Sequence, residues 1–241
     1  MRRWGFAAFL LAWFLYFTHD GLGVHFAVDD IGNMGHYFRE GPLALAISQF
    51  TLWRGDYRPM GGLFYVPILT FAGLNPVPYQ AALLAILLVN VYLVYRFARR
   101  LGAGELASWL AALVVSYHAG LHNLYYNAAF VYDALCCFFY LGALLYYMRV
   151  RESQAAHQIA LFLALDLCAL NSKEMAVTLP LVLLVYEWVY RRRGLNRIVL
   201  LSAALTAIDV CGKSRDTARD PCGVEAPVGS PCAQSVIKCS R

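Results

Sequence analysis

Two short polar clusters interrupt the apolar runs of this chain, Val28-Asp29-Asp30-Ile31 and Asn171-Ser172-Lys173-Glu174, and both hold residue types that can do chemistry. Adjacent carboxylates can take a proton from a hydroxyl, or hold a divalent metal beside a departing phosphate. Read as extended chain, Asp29 and Asp30 point to opposite sides, so one acts while the other orients the loop. Arg58, stiffened by Pro59, and Lys173 offer a guanidinium fork and an ammonium that can neutralise a phosphate-like anion at a membrane interface. Each feature also has a plainer reading. The acids and Gly32-Asn33 can form a hydrated turn, Arg58 can be an interface anchor, and Lys173 with Glu174 can be an ion pair at a helix end.

Other polar residues are less informative. His118 and His122 are four apart and would share a helix face, a spacing suited to a metal, but a third ligand at suitable spacing is missing. Asp133 opens an apolar run, where it either faces an external cavity or caps its helix. Asp166 lies inside an apolar run with no basic neighbour, so it must face the bundle or be protonated.

The elements that position these residues follow from composition. With 60% hydrophobic, 15% aromatic and 15% charged residues in 241, the chain cannot hide its apolar surface inside a soluble core. The bilayer is the expected solvent. Apolar runs over 4–17, 79–98, 106–117, 128–148, 159–170, 175–190 and 198–208 read as seven spans, the shorter ones borrowing flanking residues. The first lacks a small-residue cleavage site and reads as an uncleaved span. Arginines cluster at Arg2 and Arg3, at Arg96, Arg99 and Arg100, at Arg149 and Arg151, and at Arg191, Arg192, Arg193 and Arg197, which is every second loop. Positive charge stays inside, so the N-terminus and those loops are expected in the cytoplasm and both polar clusters outside. The net charge of +5 is then a membrane-edge feature and calls for no nucleic acid. Counting 61–74 as a span would put Arg99 and Arg100 outside. It is therefore expected to lie in the outer interface, as is a helix over 43–53 begun by Gly41-Pro42, both within a first external loop of 19–78.

In this order, Phe26-Ala27-Val28-Asp29-Asp30-Ile31, Tyr57-Arg58-Pro59-Met60 and Ser172-Lys173-Glu174-Met175-Ala176-Val177-Thr178-Leu179-Pro180 resemble the polytopic GT-C glycosyltransferases. The likeness is to the O-mannosyltransferase-like membrane proteins of bacteria and eukaryotes related to the TMTC group. It implies an all-α, GT-C-like transmembrane bundle that moves a sugar, mannose or another hexose, from a polyprenyl-phosphate donor to an external hydroxyl of a protein or glycan, with inversion. It also implies Asp29 or Asp30 as catalytic acid-base residue, and Arg58 and Lys173 at the donor phosphate. Glu174, Asp133, His118 and His122 are supporting residues. Any divalent metal would fall to Asp29 and Asp30. The family's His-Pro-x-His-x-Glu pattern is broken here, since Ala119 replaces the proline and no acid follows.

Multi-pass placement in a bacterial inner membrane is the matching expectation, with lipid, lipid-linked donor and acceptor as partners. Against it stands a non-enzymatic transporter or assembly subunit, whose charges would line a solute path. Past Ile208 the composition turns to Cys, Pro, Gly, Ser and charge. Residues 1–208 are therefore read as the membrane domain. Residues 209–241, with Cys211, Cys222, Cys232 and Cys239, are read as a disordered or out-of-frame tail, which would leave an inactive N-terminal fragment. Cys136, Cys137 and Cys168 read as small apolar packing residues.

Overall fold

A computed structural model describes residues 2–50, 58–190 and 196–219, and every regular element among the described residues is helical. Tyr57, Trp53, Arg191, Arg192, Arg193, Cys222, Cys232 and Cys239 lie outside the described residues. The order is α1 Arg2–Thr18, α2 Val28–Ser48, α3 Pro59–Ala72, α4 Pro76–Arg100, α5 Glu105–Ser116, α6 His122–Tyr126, α7 Val131–Val150, α8 Ala156–Leu170, α9 Leu179–Val189 and α10 Arg197–Arg219.

Pro76–Arg100 and Ala128–Val150 are long and apolar enough to cross a membrane. A third joins them if the bent pair Trp4–Gly23 and Val28–Arg39, which meet at 77°, is one span. The first of these, α4, is begun by Asn75, whose side chain accepts the Val77 N–H at 3.1 Å, and by Pro76 at a position needing no N–H. Its 25 residues rise about 37 Å, more than the roughly 30 Å of hydrocarbon. Arg99 and Arg100 complement the dipole at its last turn. The runs expected at 106–117, 159–170 and 175–190 form shorter helices, and the last is divided. A 3-10 turn over Glu174–Thr178 precedes α9, because Pro180 suits a helix start and not an interior.

Several expectations about the first loop change. Asp29 and Asp30 are not extended; they sit in the first turn of α2. Gly41 takes φ 78°, a left-handed conformation that breaks α2 ahead of Pro42, where the sequence places a new helix. The 61–74 segment becomes α3, and its first half is core, with Pro59, Met60, Gly61, Gly62, Phe64 and Tyr65 buried. The compositional break at Ile208 is not a structural one, since α10 continues to Arg219.

Two apolar cores organise the bundle. Phe14, Met34, Tyr37, Phe64, Tyr65, Tyr79, Leu83 and the start of α7 form one. The second half of α7 packs with Phe162, Leu179, Leu183 and Ile198 in the other. At one end, the C-termini of α4, α7 and α9 meet. Tyr190 OH donates to Leu101 O at 3.0 Å, and the Arg151 fork grips Glu187 at 2.5 and 2.6 Å with help from Tyr147 OH at 2.7 Å. The basic clusters at 96–100 and 149–151 therefore share one end, and the N-terminal turn of α7, with Asp133, lies at the other.

Candidate functional site

At the end opposite those arginines, residues far apart in sequence converge on Arg58. It occupies the N-cap position of α3, and its carbonyl accepts Tyr37 OH at 2.8 Å. Tyr37 OH also meets Tyr132 OH at 2.9 Å, and the guanidinium stands 5.3 Å over the Tyr132 ring centroid, a cation–π arrangement. Arg58 Nε and Nη2 donate to Glu174 Oε1 and Oε2 at 3.1 and 3.2 Å across 116 residues of sequence. The neighbouring Lys173 turns the other way and donates to Asp133 Oδ1 at 2.6 Å. That divergence follows from its extended backbone, φ −161° and ψ 148°, which sends adjacent side chains to opposite sides.

Asn171, at the head of the second polar cluster, is also joined through the backbone to the segments on either side of Arg58. Asn171 Nδ2 donates to Gln49 O at 2.6 Å, Met60 N donates to Asn171 O at 3.4 Å, and Gln49 Nε2 donates to Pro59 O at 2.9 Å. Backbone groups that a bilayer cannot hydrate are thereby satisfied.

The acid pair divides by burial. Asp30 is 1% exposed: its Oδ2 accepts the Ala27 N–H at 2.9 Å and its Oδ1 accepts Tyr65 OH at 3.1 Å. Burial pushes its carboxyl above the usual range, against the pull of those two bonds. Burial, then the Asp30 charge, likewise raises the Tyr65 phenol. Asp29 is exposed. With both Asp30 oxygens engaged and Asp29 turned to solvent, the pair does not form a chelate, so the expected metal role does not fit this geometry. Among the described residues, no group of three His, Cys, Asp or Glu side chains could hold a metal ion.

Burial would lower the Arg58 guanidinium, but the Glu174 hydrogen bonds and charge outweigh it and raise it. Glu174 goes the other way. Desolvation would raise it, while its own backbone N–H and Arg58 hold it below the usual carboxylate range. Asp133 is tied to Lys173 rather than to the free N–H groups of its helix.

The histidines are not on one helix. A 3-10 turn over Ala119–Leu121 separates them, and His118 Nδ1 accepts the Gly120 N–H at 3.1 Å. Their segment is anchored to the end of α1 by Tyr126 OH, which donates to Phe17 O at 2.8 Å. Asp166 is fully buried toward α10, where Ser202 Oγ donates to its Oδ2 at 2.6 Å.

Sequence reasoning singled out Arg58, Lys173, Glu174 and Asp133, and these meet. It missed Tyr37, Tyr65, Tyr132 and Gln49. The chain has 16 tyrosines, and only their Oη contacts set these three apart. Comparison with known protein families, with curated proteins and with solved structures finds no match.

Proposed function

We propose that this chain is a GT-C-type membrane glycosyltransferase that moves a hexose from a polyprenyl-phosphate donor to a hydroxyl on the non-cytoplasmic side. The observation that carries the reading is the meeting of Arg58 and Glu174, from two of the three resembling motifs, beside Lys173 at the end of the bundle away from the basic clusters. On this reading all seven apolar runs lie in the membrane and the N-terminus is cytoplasmic. The membrane is a bacterial inner membrane.

Asp29, the exposed acid, takes the proton of the acceptor hydroxyl as its oxygen bonds to the anomeric carbon. The bond from that carbon to the phosphate oxygen breaks with inversion, and the leaving polyprenyl phosphate takes the electron pair. Arg58 and Lys173 neutralise the charge that develops there. Asp30 serves the reaction indirectly, by fixing the first turn of α2 from which Asp29 projects.

Membranes holding the chain, supplied with labelled polyprenyl-phosphate mannose or glucose and hydroxyl acceptors, test the reading. Transfer that disappears in Asp29→Asn supports it; no transfer across donors and acceptors by correctly inserted protein refutes it. One observation favours a transporter instead, the fully buried Asp166 with Ser202 on α10. Solute uptake into sealed vesicles that depends on Asp166 would decide for it.

A further inference from the structure

Among the described residues, both cations assigned to the proposed phosphate seat, Arg58 and Lys173, already hold a carboxylate. Three of the ion pairs between distant residues can be compared. Arg151 with Glu187 closes to 2.5 Å at 16% and 10% exposure, and Lys173 with Asp133 to 2.6 Å at 25% and 27%. Arg58 with Glu174 is the longest at 3.1 Å and the most exposed, at 33% and 46%. A charge-assisted bond is at its best near 2.7–2.9 Å, so this pair is the loosest of the three. The two parallel contacts nevertheless use the same side of the guanidinium fork that two phosphate oxygens would use.

Resting on the donor-phosphate reading above, we infer that Glu174 is a built-in occupant of the anion seat on Arg58, and that a phosphate ester binds by displacing it. With Glu174 in place, Arg58 has no net charge to offer and an arriving anion meets a carboxylate. The seat opens by rotation of the Glu174 side chain, while the backbone stays fixed through Lys173 on Asp133 and Asn171 on Gln49. Lys213, which stands 3.0 Å from Asp209, acts on the Glu174 carboxylate as well, so the displaced group keeps a cation in its surroundings.

The arrangement also sets specificity. A tethered carboxylate acts at an effective concentration on the order of millimolar or higher. A free ligand offering only another carboxylate has nothing extra with which to compete. A phosphate monoester, the form in which the carrier leaves, brings more charge and more acceptor oxygens than a carboxylate, so the site rejects carboxylates and admits phosphate monoesters.

Binding of radiolabelled farnesyl phosphate and of farnesoic acid to the full chain in nanodiscs tests this. Wild type is expected to bind the phosphate and not the carboxylate. Glu174→Gln should bind the phosphate about three- to tenfold more tightly and begin to bind the carboxylate, a gain consistent with the modest strength of exposed pairs. Glu174→Asp, which keeps the charge but shortens the arm, should fall between and carries the same test if Glu174→Gln fails to fold. Unchanged or weaker phosphate binding in both Glu174 variants, with loss in Arg58→Gln, overturns the displacement while leaving the donor-phosphate reading intact. Unchanged binding in Arg58→Gln overturns both.

Discussion

Replacing Gly61 with alanine places one methyl group between the rings that support Arg58. The new Cβ would run into Tyr132 Cε1 and would stand 2.8 Å from Tyr37 Oη and 2.9 Å from Tyr132 Cζ. An ordinary contact begins at 3.4 Å, so those atoms must retreat by about 0.6 and 0.5 Å (3.4 less 2.8, 3.4 less 2.9). Neither ring has room, since Tyr37 is 3% and Tyr132 6% exposed. Overpacking of this kind costs about 1–3 kcal/mol, against a gain of at most about 0.5–1 kcal/mol for removing a helical glycine. The cost outweighs the gain by up to about 2.5 kcal/mol, and at roughly 2–4 °C per kcal/mol the unfolding temperature in detergent should fall by up to about 10 °C. Phosphate binding should weaken with it, because Tyr37 holds the Arg58 carbonyl and Tyr132 lies beneath the guanidinium. Gly142→Ala on α7, where nothing stands within 4 Å of the new Cβ, is the control and should be neutral or slightly stabilising. Equal unfolding temperatures for Gly61→Ala and Gly142→Ala would refute the close approach of α3 to Tyr132.

The two acids of the pair should separate in their effects. Asp29→Asn abolishes transfer with no change in unfolding temperature, whereas Asp30→Ala removes the bond to Ala27 N–H and costs about 0.5–2 kcal/mol; full activity in Asp29→Asn would remove that residue from the mechanism. Lys173→Met leaves Asp133 without its cation and should cost about 1–2 kcal/mol, most of it recovered in Lys173→Met/Asp133→Leu, as a double-mutant cycle by thermal unfolding would show. The Glu174 carboxyl is held below its ordinary 4.5, so its contribution is present above that value and lost as pH falls through the lower folded value. The stability gap between wild type and Glu174→Gln should therefore shrink as pH drops below about 4.5; a gap that widens would contradict the pairing with Arg58. Asp30, raised by burial, works in the opposite sense and favours the fold toward lower pH.

Hydrophobic runs and caps made much of the architecture legible. Asn75-Pro76 and the arginines at 99 and 100 bracket α4, and Gly41-Pro42 marks the break in α2. The approach of Arg58 to Lys173-Glu174 was implied only by the resemblance; the physical reading paired Lys173 with Glu174, whereas Lys173 holds Asp133 and Glu174 holds Arg58. The helix at Asp29 was not legible. Its first turn has no Ser or Thr cap, only Ala27, and Asp30 reaches back to Ala27 N–H from within the helix, so the local sequence reads as a turn. The interior half of α3 was hidden for another reason. The positions of Arg99 and Arg100 put 61–74 at the outer interface, yet the missing side chains of Gly61 and Gly62 make room for Tyr132, Tyr37 and Leu45 and let the segment pack inside. The continuation of α10 past Ile208 was obscured by its charged composition, in which Asp209 and Lys213 lie one turn apart as an i, i+4 ion pair at 3.0 Å.

The helix α7 belongs to both apolar cores, its first turns to one and its last turns to the other. Adjacent helices α7 and α4, whose Phe97 also packs against the second core, would still leave the two halves free to hinge about them. The polar stretch from Asn171 to Glu174 prevents that. It leaves α8, in the second half, and fastens itself to Gln49, Arg58 and the first turn of α7, in the other half. The two halves are thus pinned at two separated points, and the second pin includes the charges proposed to receive the ligand. Displacing Glu174 from Arg58 would release one strand of that second pin while Lys173 on Asp133 and Asn171 on Gln49 hold, so a phosphate bound there is expected to loosen the coupling between the two halves.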